Sequence, residues 1–481
     1  MNIRKLLCFA FVSAGFSMRA TAQIPVQLQQ LLQDTLNYMQ SHYQTTGVSA
    51  AVSVRGQGLW KGTAGNSGPG VPLQSNMLIG IGSNTKTFVS ALVLRQEELG
   101  QLSLQDSIGT WIQGYPNING AITVKQLLNH TSGLFSYTES TAMWDSLVNN
   151  PGRIWHMSDI LDHFVEPPVF TPGTDWEYCN TNYIIAGLIL ESVTGRPLPA
   201  LIRDSILTPL QLNHTFFPPD EVPTYPLSRF WGEGGEYILP LESYSIANAA
   251  GALLSTPEDV VHFWEGLFNG DIIQKNTLNN KMLEMAVNSP DNKFGYGLGI
   301  FKDNYFDNNG YSHGGTWLGQ INSNFIDTVR GITICVLSNQ DSLANSYTEA
   351  VVAALYKVFL NTTGITEQRP GQLAATFYPN PASNVLYLQN DVYTGSRTIS
   401  IRGLDGRQWL TQTFAAGEKP EVSVTTLPAG VYMAEVSDEA GRNALLYASK
   451  KNESSLTTMN NGCLIIGQPF SFIFNTGAPL L

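Results

Sequence analysis

Ser83-Asn84-Thr85-Lys86 is the stretch on which the reading of this chain turns. It follows an apolar, glycine-containing run, Leu78-Ile79-Gly80-Ile81-Gly82, and leads into a segment over 87–99 whose pattern predicts a helix. Residues three apart on a helix share a face, so the Ser83 hydroxyl and the Lys86 amine point into one cleft. A serine hydroxyl is a poor nucleophile without an adjacent base, and a lysine becomes such a base when burial lowers its pKa. Standing alone, this spacing is more often a plain helix start, with serine as cap and lysine in solvent. Here it is accompanied by Tyr178-Cys179-Asn180 and His313-Gly314-Gly315.

The rest of the composition narrows the function classes. The chain has 481 residues, enough for two or three domains, with 43% hydrophobic and 13% charged residues, so it can bury a sizeable core. Its formal net charge of −12 argues against nucleic acid as a partner, because phosphate binding needs a basic face. Arg4 and Lys5, the apolar run 6–16 and Ala20-Thr21-Ala22 give the order of a signal peptide, so residues 1–22 are expected to be removed. That run is too short for a transmembrane anchor, and no other apolar stretch of spanning length follows. Of the four cysteines, Cys8 leaves with the signal; Cys179, Cys335 and Cys463 form neither a disulfide framework nor a zinc spacing. Cys179 reads as a small packed residue. With scattered histidines and no phosphate-cradling glycine loop, we expect no metal, no nucleotide and no other cofactor.

Along the chain, residues 24–45 read as an amphipathic helix with Leu28, Leu31, Leu32, Leu36 and Met39 on one face, and 48–55 as a strand before a glycine turn. Residues 100–260 are mostly helical in pattern. Strands are expected at 296–301, 320–327 and 332–337, and a last helix at 346–360. Strands near both ends with helices between predict an α/β (α+β) unit whose layer is closed by the two chain ends around an inserted helical layer. Residues 365–375 read as a linker. From 376 to 451 short alternating strands predict a small β-sandwich. Residues 452–481 fit neither unit.

In order, the motifs resemble the serine β-lactamase and penicillin-binding-protein superfamily, nearest to its class C β-lactamase, D-alanyl-D-alanine carboxypeptidase and family VIII esterase branch. The carrying residues are Ser83 to Lys86; Leu127-Leu128-Asn129-His130-Thr131-Ser132-Gly133-Leu134; Tyr178-Cys179-Asn180; Ala250-Gly251-Ala252; Tyr296-Gly297-Leu298-Gly299; and His313-Gly314-Gly315. The resemblance spans residues 23–364 and implies an antiparallel sheet flanked by helices with an all-helical insertion. It also implies roles. Ser83 would be the acylated nucleophile, Lys86 its activator and Tyr178 a second acid/base group. Asn180 would orient the substrate and the lysine; His313 and Gly315 would lie in the substrate site. The backbone N–H groups of Ser83 and of Thr316, on an edge strand, would form the oxyanion hole. The Leu127–Leu134 block reads as structural, a helix end turning into a glycine loop, and His130 and His214 as packed or capping residues.

Relatives that hold a substrate carboxylate carry lysine at the His313 position. A histidine is mostly neutral near pH 7 and reaches less far. That weakens an antibiotic-hydrolysing reading and leaves peptidase, D-amino-acid amidase and esterase readings open. The expected protein is a hydrolase of small amides, D-amino-acid peptides or esters; β-lactamase or acyltransferase activity is the alternative within the class, and a non-catalytic binder of cell-wall peptide the alternative outside it. Residues 376–451 resemble the sorting domain of the type IX secretion system, through Phe377-Tyr378-Pro379-Asn380-Pro381, Asp405-Gly406-Arg407, Leu427-Pro428-Ala429-Gly430-Val431-Tyr432 and Lys450-Lys451. This implies the type IX machinery as a partner and delivery through the periplasm to the surface or medium. In that family the chain stops just after the basic pair, whereas here 30 residues follow.

Overall fold

The computed structural model describes residues 23–288, 294–303, 310–341, 346–362, 376–378, 382, 384–389, 395–403, 407–428, 430–439 and 443–450. The signal-peptide segment, the linker 365–375 and the tail 452–481 lie outside the described residues.

Strands from the first and last parts of residues 47–338 meet in one ten-stranded sheet. Strand Gly47–Val54 pairs antiparallel with Ile332–Ser338, in the register Val48 to Ser338 through Val54 to Ile332. Both strands are buried throughout, and the alternation of side chains across a strand sorts their residues between two cores. Val48, Ala50, Val52, Ile332, Ile334 and Val336 pack with helices Val26–Tyr43 and Ser346–Thr362. Ala51, Cys335 and Leu337 face the opposite way, into the core that holds helices Thr85–Glu98 and Pro257–Asn269 and the helical insertion. A sheet covered on both faces needs near-continuous apolar strands, and these two have them.

The insertion between Ile79 and Ser255 is less helical than its pattern suggests. Apart from Thr85–Glu98 and Thr181–Thr194 its helices are short, such as Val124–Leu128, Thr141–Asn149 and Met157–Phe164, and long connections join them. The strand expected at 296–301 is two strands, Phe294–Tyr296 and Phe301–Asp303. The chain reverses between them through Gly297 N–H to Ile300 O, 2.9 Å, with Gly299 at φ +74°. A Cβ at Gly299 would lie 2.2 Å from Ser90 Oγ, so the turn requires glycine there.

The C-terminal strands form a three-stranded and a four-stranded antiparallel sheet. They share a core of their own, with Leu386, Leu388, Ile399, Ile401, Val422 and Val436 buried. Among the described residues, no single helix is long and apolar enough to cross a membrane, and no His/Cys/Asp/Glu cluster could hold a metal ion.

Candidate active site

Ser83 sits in a 3-10 turn, Gly82–Asn84, at the N-terminus of helix Thr85–Glu98. Gly82 adopts φ +45°, a conformation that favours glycine. Within 77–94 every residue but Ser83 is buried. The helix is buried on all sides up to Leu94, with the polar Thr85, Lys86, Thr87 and Ser90 inside as well, and the Ser83 hydroxyl stands where the partial positive charge of the helix N-terminus favours developing negative charge.

Lys86 is fully buried one helical turn on. Its Nζ donates to Ser83 Oγ at 2.9 Å and to Ala250 O at 2.7 Å. Its other neighbours are aromatic: Nζ lies 5.0 Å from the Tyr178 ring centroid and 5.5 Å from that of Tyr183. Burial holds the amine well below the usual lysine range, against a small opposing effect of Cys179. The lowered pKa makes the neutral, proton-accepting form of the amine easier to reach, and the amine is in contact with the expected nucleophile.

Tyr178 belongs to the loop that leads into helix Thr181–Thr194. Its hydroxyl is buried and makes no hydrogen bond of normal geometry. Burial pushes the phenol well above its ordinary value; Ser83 is close enough to favour the ionised form, but by less. Asn180 is the N-cap residue of the same helix, without a side-chain cap bond, and the structure corrects the expectation that it orients the lysine. Its Nδ2 donates to Thr138 Oγ1 at 2.8 Å, while the lysine is held by the Ala250 carbonyl instead. The small residues Ala249-Ala250-Gly251-Ala252 are the sequence signal for that close approach: a Cβ on Gly251 would already touch Gly82 at 3.5 Å.

Among the described residues the strand Gly315–Trp317 pairs only with Gln320–Asp327, in register Trp317 to Gln320 and Thr316 to Ile321. Trp317 and Gln320 close a two-residue turn, so they are a hydrogen-bonded pair, and the alternation of an antiparallel ladder turns the Thr316 N–H to the other side. That side faces the Ser83 turn. A Cβ on Gly82 would stand 2.7 Å from Thr316 N, and one on Gly315 would stand 2.5 Å from Ser83 N. Asn322 Nδ2 ties the two segments, donating to Ile81 O at 2.7 Å and Gly315 O at 3.0 Å. Gly315 thus serves by lacking a side chain. Its expected partner in the substrate site, His313, is 1% exposed and lies behind this strand. One ring nitrogen is 2.7 Å from Gly314 O and the other 3.2 Å from the Tyr296 hydroxyl. Burial pushes its pKa down to about 3, with the Lys86 charge as a second cause. The expectation of a substrate-facing imidazole is corrected: both nitrogens are bonded inside the protein.

His130 is fully buried, as expected of a packed residue, but its partners were not legible in the sequence. Its Nδ1 accepts from Cys179 N–H and from Asn182 Nδ2, both at 3.1 Å, and its Nε2 is 3.2 Å from the Tyr296 hydroxyl. Its ring lies 4.3 Å from that of Tyr178. Trp144 stands at the surface, 39% exposed, stacked on Trp317 at 6.4 Å, with its indole N–H on Thr138 O at 2.8 Å.

A buried lysine against a half-exposed serine at a helix start, with a phenol and an adjacent strand of N–H donors, is the constellation of β-lactamase-fold serine hydrolases. The family model described as Beta-lactamase matches residues 28–357, and the one described as Secretion system C-terminal sorting domain matches residues 376–444. The chain belongs to the beta-lactamase family and carries a type IX sorting domain, which marks a secreted or cell-surface protein that engages the secretion machinery.

Penicillin-binding protein 4* of Bacillus subtilis (strain 168) is 27% identical over 320 residues, covering 62% of this chain and 68% of that protein. Protein flp of Staphylococcus aureus (strain NCTC 8325 / PS 47) is 28% identical over 272 residues, and the chain spans about half (53%) of its length. Among solved structures, a D-stereospecific amidohydrolase from Streptomyces sp. superposes with a TM-score of 0.60 at 29% identity, covering 68% of this chain and 97% of that one. D-amino acid amidase from Ochrobactrum anthropi SV3, complexed with D-phenylalanine, gives 0.61 at 24% identity over 70% of this chain and 100% of that one, a likeness of fold alone.

Proposed function

We propose that the protein hydrolyses small amides and esters, with amides of D-amino acids foremost, through an acyl-Ser83 intermediate. The observation that carries this is the buried Lys86 amine at 2.9 Å from Ser83 Oγ, with its pKa lowered by burial. Lys86 takes the hydroxyl proton as Ser83 Oγ bonds to the substrate carbonyl carbon. Tyr178, kept protonated by burial, passes a proton to the leaving amine or alcohol as the bond to it breaks, and takes in return the proton that Lys86 removed from Ser83. A water then attacks the acyl carbon, gives its proton back through the same groups and restores the Ser83 hydroxyl. The N–H groups of Ser83 and Thr316 hold the developing oxyanion; each such donor contributes about 100- to 1000-fold in kcat.

Three features support this substrate class. His313 is neutral and bonded on both nitrogens, which disfavours a substrate that needs a cation beside its carboxylate. Glu177 immediately precedes Tyr178, and Glu139 immediately follows Thr138, the partner of Asn180; both carboxylates are exposed. They favour a neutral or ammonium-bearing substrate over an anionic one. The Trp144–Trp317 pair next to Thr316 offers an aromatic wall for an apolar side chain. The D-configuration rests on similarity to the D-stereospecific amidohydrolase.

The test is a panel on the full chain: D- and L-amino-acid amides, p-nitrophenyl esters, a D-Ala-D-Ala peptide and nitrocefin, beside fluorophosphonate labelling of wild type and Ser83→Ala. We expect turnover of D-amides and esters, little with nitrocefin, and labelling lost in Ser83→Ala. Labelling that persists in the variant removes Ser83 as the nucleophile, and preference for nitrocefin overturns the substrate class.

A further inference from the structure

Three buried side chains from three separate motifs meet behind the site. His130 comes from the loop after helix Val124–Leu128, Tyr296 from the end of strand Phe294–Tyr296, and His313 from the segment just before Gly315–Trp317. The hydrogen-bond partners assign a direction to the protons of the two imidazoles. His130 Nδ1 faces two donors, Cys179 N–H and Asn182 Nδ2, so it must be the bare, accepting nitrogen. In a neutral ring the proton is then on Nε2, which donates to the Tyr296 oxygen at 3.2 Å. At the other end His313 Nδ1 faces the Gly314 carbonyl, which can only accept, so Nδ1 carries the proton and Nε2 is bare. The Tyr296 hydroxyl donates to that Nε2 at 3.2 Å. The two ends are assigned independently and agree in the middle. Tyr183, beside Tyr296, gives its own proton to Leu128 O at 2.9 Å. Burial holds both imidazoles neutral, with the nearby Lys86 charge acting in the same direction.

The chain joins the two halves of the site. Its His130 end holds the Tyr178-Cys179-Asn180 loop through Cys179 N–H, and the His130 carbonyl also accepts from Glu177 N at 3.1 Å. Its His313 end holds the carbonyl of Gly314, two residues before Thr316. We propose that His130, Tyr296 and His313 form one directional hydrogen-bond chain that sets the Tyr178 loop against the Thr316 strand, which makes His130 and Tyr296 positioning residues for the hydrolysis. The inference rests on the reading of Tyr178 and Thr316 given above. Its first test does not depend on activity.

Full-length protein with 15N-labelled histidine is read by NMR, with signals assigned by deletion variants. The expected result is His130 protonated on Nε2 and His313 on Nδ1. The opposite tautomer at either residue, or a charged ring near pH 7, overturns the chain whether or not any substrate is turned over. Kinetics test the positioning role. Tyr296→Phe keeps the ring and removes the link. His130 has φ +62°, a left-handed conformation that asparagine tolerates well, so His130→Asn is the second variant if the first fails to fold. Each should lower kcat by up to about a hundred-fold with KM within about two-fold, the mark of a displaced catalytic geometry. The double variant should cost no more than one single variant. Unchanged kcat in both variants, or fully additive losses, overturns the positioning role. If no substrate is turned over, the rate of fluorophosphonate labelling of Ser83 takes the place of kcat.

Discussion

The Lys86 amine donates at 2.7 Å to the carbonyl of Ala250, a residue 164 positions later in the chain, while its other bond reaches Ser83. The Ala250 carbonyl can only accept, so the amine gives it a proton, while the Ser83 hydroxyl can either accept from the amine or give its proton to it. The pH dependence follows from its lowered pKa. The unfolded chain keeps the lysine proton up to its ordinary 10.5, whereas the folded chain has released it at lower pH. The unfolded state therefore binds more protons in that window, and stability rises with pH across it and is lost as pH falls toward the folded value. We expect kcat/KM to rise with pH through the same folded value. Lys86→Met should flatten the stability slope between neutral and alkaline pH and lower kcat by about 100- to 10,000-fold. Urea unfolding at several pH values checks the first effect; an unchanged slope means that the buried amine stays charged.

Gly315→Ala should damage the site without touching a polar side chain. The new methyl group would stand 2.2 Å from Ile81 O and 2.5 Å from Ser83 N, both backbone atoms that cannot swing aside. Such overpacking costs about 1–3 kcal/mol, or roughly 2–4 °C of Tm per kcal/mol in a unit of this size. Ser83 labelling by a fluorophosphonate should slow by at least about ten-fold, because the two N–H donors are pushed apart. A normal labelling rate would separate the strand from the reaction.

Trp144→Ala should change which substrates are preferred. The indole is 39% exposed and stacked on Trp317, next to Thr316. Removing one wall of an aromatic contact costs roughly 1 kcal/mol or somewhat more. The kcat/KM ratio of D-phenylalanine amide to D-alanine amide should fall by about five- to ten-fold, measured on the same preparation. An unchanged ratio places the side chain of the substrate elsewhere.

A chain ending at Gly364 should keep kcat/KM within about two-fold, since the site is assembled from Ser83 to Asn322 and contacts between units of one chain are often modest. In a host with the secretion system it should stay in the periplasm. A second chain ending at Lys451 reads the effect of the last 30 residues. More protein at the surface than from the full-length chain would show that they mask the sorting signal, and equal amounts would show them to be harmless. Loss of activity on truncation at Gly364 would move the boundary.

The sequence by itself determined the local frame and pointed to the residues proposed to react. Helix and strand patterns within 24–55 and 320–360 are carried by side chains a few positions apart, and the Ser83–Lys86 spacing is one helical turn, so neither needs distant information. Glycines at 82 and 315 were visible as letters, but their purpose was not, because the atoms they avoid belong to Thr316, Ile81 and Ser83, more than 230 positions away in the chain. Only the tertiary structure decided the rest. It gave the lysine to Ala250 rather than Asn180, broke the strand expected over 296–301 at its glycines, and buried His313 against Tyr296 with His130 on the far side. A histidine before two glycines reads the same whether it faces substrate or core. What separates the two is which groups the fold brings within about 3 Å of each ring nitrogen, and that is set by packing between segments whose separation along the chain carries no record of it.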